Sequence, residues 1–441
     1  MINIYTILNL IIVIFSFTIM FLRYSNELNV LLFIFSTMII VVQNFYYKKK
    51  NLPILMSWFY IIFFFFFQSV IGSYSFLESN FYANDKHHYF YKEPIYFYLS
   101  FMSFIVSSII HFIYVEYKFI RIYNANLLFF SNKYKFFIYI ICLFLIFYLI
   151  FYKILYHFYE GINVLYIPFL LFLSIYVYKI KKKDIGYYIS LFFIAIFLIK
   201  LFGNRYVLFS YLLSFLAIVY YDWFSKTNNM IKIGKIIKYL SIFIIVFFYL
   251  LVAFFAKTHT FKESIEMLIE NQNLFFWGLE HLYYRIFEIY AHLSSIFIEY
   301  VNNHNFFFGL TYIKKLYSLI SGEPSTLYNA NVITAKIYQG YGYAMPGVIG
   351  EGYGNFGYLA VFFVPLMIFP ILFYFEIKFF KYKTPFWAIM YISGYPGMFF
   401  NASTIVHYLF FVVLALFMYI IYVIFKTILE KKNEKKYISI S

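Results

Sequence analysis

Charge is scarce in this chain: 12% of its residues are Asp, Glu, Lys or Arg, where a soluble domain carries about a quarter. Hydrophobic residues make up 64% of the 441 positions and aromatic residues 27%. A water-soluble fold of this length cannot hide so much apolar surface, so the composition predicts an integral membrane protein with several spans. Cysteine is almost absent. Cys142 stands alone inside an apolar run, which excludes an intrachain disulfide and a cysteine-rich metal site. No Lys or Arg precedes the first apolar run, MINIYTILNLIIVIFSFTIMFL, and no small-residue cleavage site follows it. A retained anchor is expected there, not a cleaved signal peptide. Nucleotide-binding loops, zinc motifs, a Ser-His-Asp order and an Asp-x-Asp pair are all missing.

What is present is a series of apolar runs. A helix needs about 20 such residues to cross the hydrocarbon core. About twelve runs qualify, near 3–22, 28–46, 53–77, 94–115, 136–156, 163–179, 185–201, 206–221, 238–256, 356–376, 384–399 and 404–426. The net charge is +16, and its placement argues for membrane edges and against nucleic acid. With the N-terminus inside, Lys48 to Lys50, the 116–135 loop, Lys181 to Lys183, the 226–238 segment, Lys378 to Lys383 and the tail from Lys431 to Lys436 all fall on one side. That is the positive-inside arrangement. The expected fold is an all-α polytopic membrane protein of about 12 transmembrane helices with both termini cytoplasmic. Spans 1 to 9 occupy 1–256, a large extracytoplasmic loop domain with helices of its own occupies 257–355, spans 10 to 12 occupy 356–426, and a basic cytoplasmic tail occupies 427–441.

The 257–355 segment differs from the rest, with six Lys or Arg against eight Glu. A loop this long is a small domain and not a connector. Its first half, NLFFWGLEHLYYRIFEIYAHLSSIFIEY, places His281, Arg285, Glu288, His292 and Glu299 in one stripe along a helix. Most other positions are apolar. The stripe faces either water, from an amphipathic helix at the interface, or a polar cavity. Counting this helix as a thirteenth span would put Lys378, Lys381 and Lys383 outside, so it is disfavoured.

Arginine is the rarer cation, at Arg23, Arg121, Arg205 and Arg285 against 31 lysines. Its planar fork suits diphosphate and carboxylate groups. Arg205 lies in a tight outer turn and Arg285 in the outer loop; Arg205 reads equally well as an interfacial anchor. The second half of the loop concentrates 8 of the 17 glycines between Gly322 and Gly357. Glycine admits close backbone approach to a ligand, and the interleaved Tyr341, Tyr343 and Tyr353 suit stacking on sugar faces. Glu351 is the carboxylate of this Gly-rich run, either a solvated interfacial residue or a functional one.

Three patches carry a family resemblance: Gly203-Asn204-Arg205 at the outer end of a span, Tyr284-Arg285-Ile286 early in the large loop, and Gly350-Glu351-Gly352-Tyr353-Gly354-Asn355-Phe356-Gly357 at the entry to the next helix. With the span count and the single large loop, the chain resembles the Wzy-type polymerases of O-antigen and capsular oligosaccharide repeat units, a group that includes the O-antigen ligases. The resemblance implies a membrane glycosyltransferase of the bacterial cytoplasmic (inner) membrane. It would move a growing glycan from undecaprenyl diphosphate to the terminal hydroxyl of another lipid-linked repeat unit at the outer face. Arg205 and Arg285 would bind the diphosphate, and His281, Glu280, Glu288 and Glu351 are the candidates for general base. Asn204, Tyr284, His292 and Asn355 join the three tyrosines as expected substrate contacts. No metal or other cofactor is expected. The implied partners are the undecaprenyl-diphosphate-linked substrates, membrane lipid and a chain-length regulator, with no nucleic acid. The alternatives are an O-antigen ligase acting on a lipid A core and a lipid-linked oligosaccharide flippase. The flippase is disfavoured because the spans hold few charges.

Overall fold

The computed structural model describes residues 26–67, 94–122, 142, 145–146, 166–179, 185–201, 211, 215, 221, 289–321, 330–337, 346–382, 387, 391 and 423. Helix α1, Asn26–Lys49, is the run NELNVLLFIFSTMIIVVQNFYYKK. It ends because Asn51 takes φ 50°. Leu52 N–H then donates to Tyr47 O at 3.0 Å and Asn51 N–H to Lys48 O at 3.2 Å. This is a Schellman cap with asparagine in the left-handed position. Pro53 follows and keeps the helix from resuming. Helix α2, Met56–Ile61, continues as a π-helical turn, Ile62–Phe67. Helix α3, Pro94–Tyr114, runs on through a π-helical turn, Val115–Phe119, to Ile122.

Helices α4 (Tyr166–Lys179) and α5 (Ile185–Leu201) pack on each other. Four helices then lie in or next to the expected outer segment: α6 (Ile289–Asn302), α7 (Leu310–Ser321), α8 (Ala330–Ile337) and α9 (Gly347–Phe356). A 3₁₀ turn, Gly357–Leu359, leads into α10, Ala360–Tyr382. No strand occurs among the described residues. Leu28–Lys49, Ile95–Ile122 and the stretch Gly347–Tyr382 are long and apolar enough to cross a membrane. The chain is therefore a helical, membrane-embedded protein. The last stretch is broken at Gly357, and α10 is its long apolar part.

Helix α3 is the hub. It packs on α1, α2, α6, α9 and α10, and its buried Ser100, Ser103, Ser107 and Ser108 keep that surface small. Without water to expel, helices in lipid associate through close packing, which small residues permit. The contact pairs fix direction. Phe33 meets Phe101 and Tyr46 meets Phe112, so α1 and α3 are parallel. Tyr98 meets Tyr358 and Phe119 meets Phe380, so α3 and α10 are parallel too. Lys48, Lys49, Lys50, Lys118, Arg121, Lys378 and Lys381 consequently gather at one end of the three helices.

Near that basic end a buried polar cluster ties four elements together. Ser57 Oγ donates to Glu376, at 2.9 Å from Oε2, and also lies 2.9 Å from His111 Nε2. Tyr47 OH lies 3.1 Å from His111 Nδ1, and the Tyr391 hydroxyl donates to Glu376 Oε1. Ser57 has one proton. If it serves Glu376, His111 Nε2–H donates to Ser57 and Nδ1 accepts from Tyr47. His111, Ser57 and Glu376 have no exposed surface. A buried donor that loses its acceptor costs about 1–3 kcal/mol, and Glu376→Ala removes the carboxylate to which the Ser57 and Tyr391 hydroxyls both donate. Thermal unfolding in detergent micelles should therefore show a drop of several kcal/mol for Glu376→Ala. Glu376→Gln should lose less, because its amide oxygen still accepts.

Candidate functional site

Helix α9, GVIGEGYGNF, is an unlikely helix by local preference, since each interior glycine costs about 1 kcal/mol relative to alanine. Packing explains it. Gly347–Asn355 are all buried. A β-carbon on Gly352 would come within 2.5 Å of Val364 Cγ2, and one on Gly354 within 2.6 Å of Phe297 Cε1. The glycines thus let α9 wedge between α6 and α10. Gly357 takes φ 59° and ψ −141°, a backbone region open almost only to glycine. There the chain reverses, so that Gly352 lies beside Ala360 and Val364.

This hairpin carries Glu351 into a clasp. Thr311 Oγ1 donates to Glu351 Oε1 at 2.9 Å. Asn355 Nδ2 lies 2.6 Å from Thr311 Oγ1 and 2.8 Å from the Glu351 carbonyl, while Asn355 Oδ1 accepts the Gly309 N–H at 2.9 Å. The backbone adds Phe307 N–H to Gly354 O at 2.8 Å. Tyr353 OH donates to Asn302 Oδ1 at 2.7 Å, and the Ser294 hydroxyl donates to Pro346 O. Glu351 and Asn355 are each 1% exposed. Burial first, and the neighbouring Glu351 carboxylate second, hold the Tyr312 phenol well above its ordinary range, with a hydrogen bond from Asn355 opposing them. Tyr312 thus stays a protonated neighbour of the carboxylate.

Of the residues singled out in the sequence, the structure brings together Glu351, Tyr353 and Asn355. It carries His292 on α6, the helix on which α9 packs. Arg205, Arg285, His281, Glu280, Glu288, Asn204, Tyr284, Tyr341 and Tyr343 lie outside the described residues. Residues 347–355 are buried, and their glycines meet other helices. The Tyr353 ring is 3% exposed and stands edge-on to Phe306 and Tyr358. No family model, curated protein or solved structure matches the chain. What can be argued about its function rests on the residues themselves.

The sequence reading missed Thr311, Tyr312, Asn302 and Ser294. Thr311 and Glu351 are 40 positions apart, and nothing local in either segment points to the other. Glu376 and His111 were missed for a different reason. Both sit at the ends of apolar runs beside Lys378 and Lys118, where a polar residue reads as interfacial. The chemistry of the Glu351 clasp is that of a fixed carboxylate. One oxygen is held by a threonine, the side chain is sealed from bulk water, and the support comes from three separate segments.

Proposed function

We propose that the chain polymerises lipid-linked oligosaccharide repeat units, transferring a growing glycan from undecaprenyl diphosphate to another lipid-linked unit at the outer face of a bacterial cytoplasmic membrane. One observation carries the reading. The Gly350–Gly357 patch, the most specific part of the resemblance, holds a clasped carboxylate at the end of the helices away from the basic residues. If the basic end is cytoplasmic, as positive charge prefers, the clasp belongs to the outer half of the bundle.

In this reaction the acceptor hydroxyl oxygen bonds to the anomeric carbon of the donor sugar as the bond from that carbon to the diphosphate oxygen breaks. The hydroxyl proton passes to a base, and the diphosphate leaves on its lipid. A carboxylate near the anomeric carbon stabilises the positive charge that develops there. Glu351 is a candidate for that role and, with His281, Glu280 and Glu288, for the base that takes the proton. Arg205 and Arg285 would hold the diphosphate as its charge grows.

The deciding experiment is a membrane assay with a purified lipid-linked repeat unit as both donor and acceptor. A ladder of lengthened lipid-linked product should form without any lipid A core. Product only when lipid A core is added would replace the reading with a ligase. Orientation has its own check: with Cys142 replaced by serine, Ser325→Cys should react with an impermeant maleimide in intact cells whose outer barrier has been opened. Reaction only after the cytoplasm is exposed would reverse the orientation.

A further inference from the structure

Helix α7 has two faces with different work. Thr311 and Tyr312 point inward to Glu351 and Asn355. Leu310, Ile313 and Tyr317 lie on the opposite side by helical spacing and are exposed, Ile313 by 61% and Tyr317 by 57%. Lys314 beside them is exposed as well. The preceding loop adds Phe306 and Phe308, the latter 80% exposed. Phe308 sits at φ 49° and Gly309 at φ 85°. A bulky residue at positive φ is an outlier that its surroundings must hold in place. Here the clamp from Gly309 N–H to Asn355, and from Phe307 N–H to Gly354, holds it with the ring turned out.

The exposed face has other exposed apolar side chains close by, linked to it through the buried Tyr353 ring. Phe306 touches Tyr353, Tyr353 touches Tyr358, and Tyr358 touches Tyr98 near the start of α3. Tyr358 and Leu359 are themselves more than half exposed, and Phe363 and Leu366 carry the exposed apolar surface on down α10. A surface facing water rarely leaves so many large apolar side chains exposed in one region. A lysine edging an apolar helical face is the pattern of a helix lying in the membrane interface, apolar side down and cation in the headgroups.

We propose that α7 and the Phe306–Gly309 loop form an interfacial membrane-docking element, seated in the headgroup boundary of the leaflet opposite the basic end. The consequence is positional. Since the inner face of the same helix supplies Thr311, docking the outer face sets the depth of the Glu351 carboxylate at the plane where lipid headgroups lie. The proposal concerns where the helix sits and does not depend on which reaction the chain performs.

The test uses the full chain with Cys142→Ser, and Phe308→Cys, Ile313→Cys and Tyr317→Cys in turn, each labelled with a nitrobenzoxadiazole fluorophore. The proteins are reconstituted into vesicles of phosphatidylethanolamine and phosphatidylglycerol. Shallow doxyl-labelled lipid should quench all three labels at least about threefold more than aqueous iodide does, with deep doxyl lipid less effective than shallow, as an interfacial helix requires. Dominant iodide quenching at Phe308 and Ile313 would put the face in water and overturn the proposal. Protection from lipid and iodide alike would mean that a protein partner or a second copy covers the face, and would overturn it too. The three sites are exposed and independent, so poor folding of one variant leaves two readouts.

Discussion

Glutamine at position 351 is expected to cut polymer formation by about 10²–10⁴-fold, the range for removing a catalytic proton acceptor, while leaving the fold standing. The reason lies in the clasp. The hydrogen bond from Thr311 requires an oxygen at Oε1, which the glutamine amide still supplies, and Asn355 holds the backbone carbonyl and not the side chain. Charge is lost and shape is kept. Alanine at the same place should lose polymer and stability together, because Thr311 is then left buried without its acceptor. Product length on a gel, read beside the melting temperature of the purified protein, separates the two variants. Full polymer with Glu351→Gln would remove the carboxylate from the chemistry and leave it a structural residue.

Arg205→Ala and Arg285→Ala should each reduce polymer by about 10²–10³-fold, as when a preorganised group facing a developing negative charge is removed, with insertion into the membrane unchanged. The argument is chemical. The chain writes 31 of its 35 cations as lysine, so the two arginines expected on the outer face are the ones where a planar, permanently charged fork would matter. Lysine at either position should recover little of the loss, because it cannot bond a diphosphate with two parallel N–H groups. Arg121→Ala supplies the control. It is exposed at the basic end, beside Lys118, and should behave as the parent. Ladders of full length from both alanine variants would sink the polymerase reading.

The helices that face lipid are the part of this fold a sequence can show. Runs read at 28–46, 94–115, 185–201 and 356–376 correspond to Asn26–Lys49, Pro94–Tyr114, Ile185–Leu201 and Ala360–Tyr382, because the need to satisfy every backbone group inside hydrocarbon leaves few alternatives. The site is a harder matter. Glu351, Tyr353 and Asn355 stood out because they share one short glycine-rich patch. What they touch did not, since Thr311 and Asn302 reach them from helices 40 to 51 positions away. The glycines of this patch read in the sequence as room for close approach of backbone to a ligand; the structure uses Gly350, Gly352 and Gly354 for close approach of helix to helix. The buried Glu376 was concealed by its neighbours, for a carboxylate two residues before Lys378 looks like the polar rim of a span.

The polar cluster around Glu376 also imposes an order of events during biosynthesis. Ser57 leaves the ribosome early, and its acceptor Glu376 is 319 positions further on. At roughly 5–20 residues per second, the wait is about 16–64 s. For that time the first helices hold the Ser57 hydroxyl in the bilayer without the carboxylate that later joins it. The bundle around α3 is therefore left open until α10 arrives, and any chain that stops short of residue 376 remains unlatched.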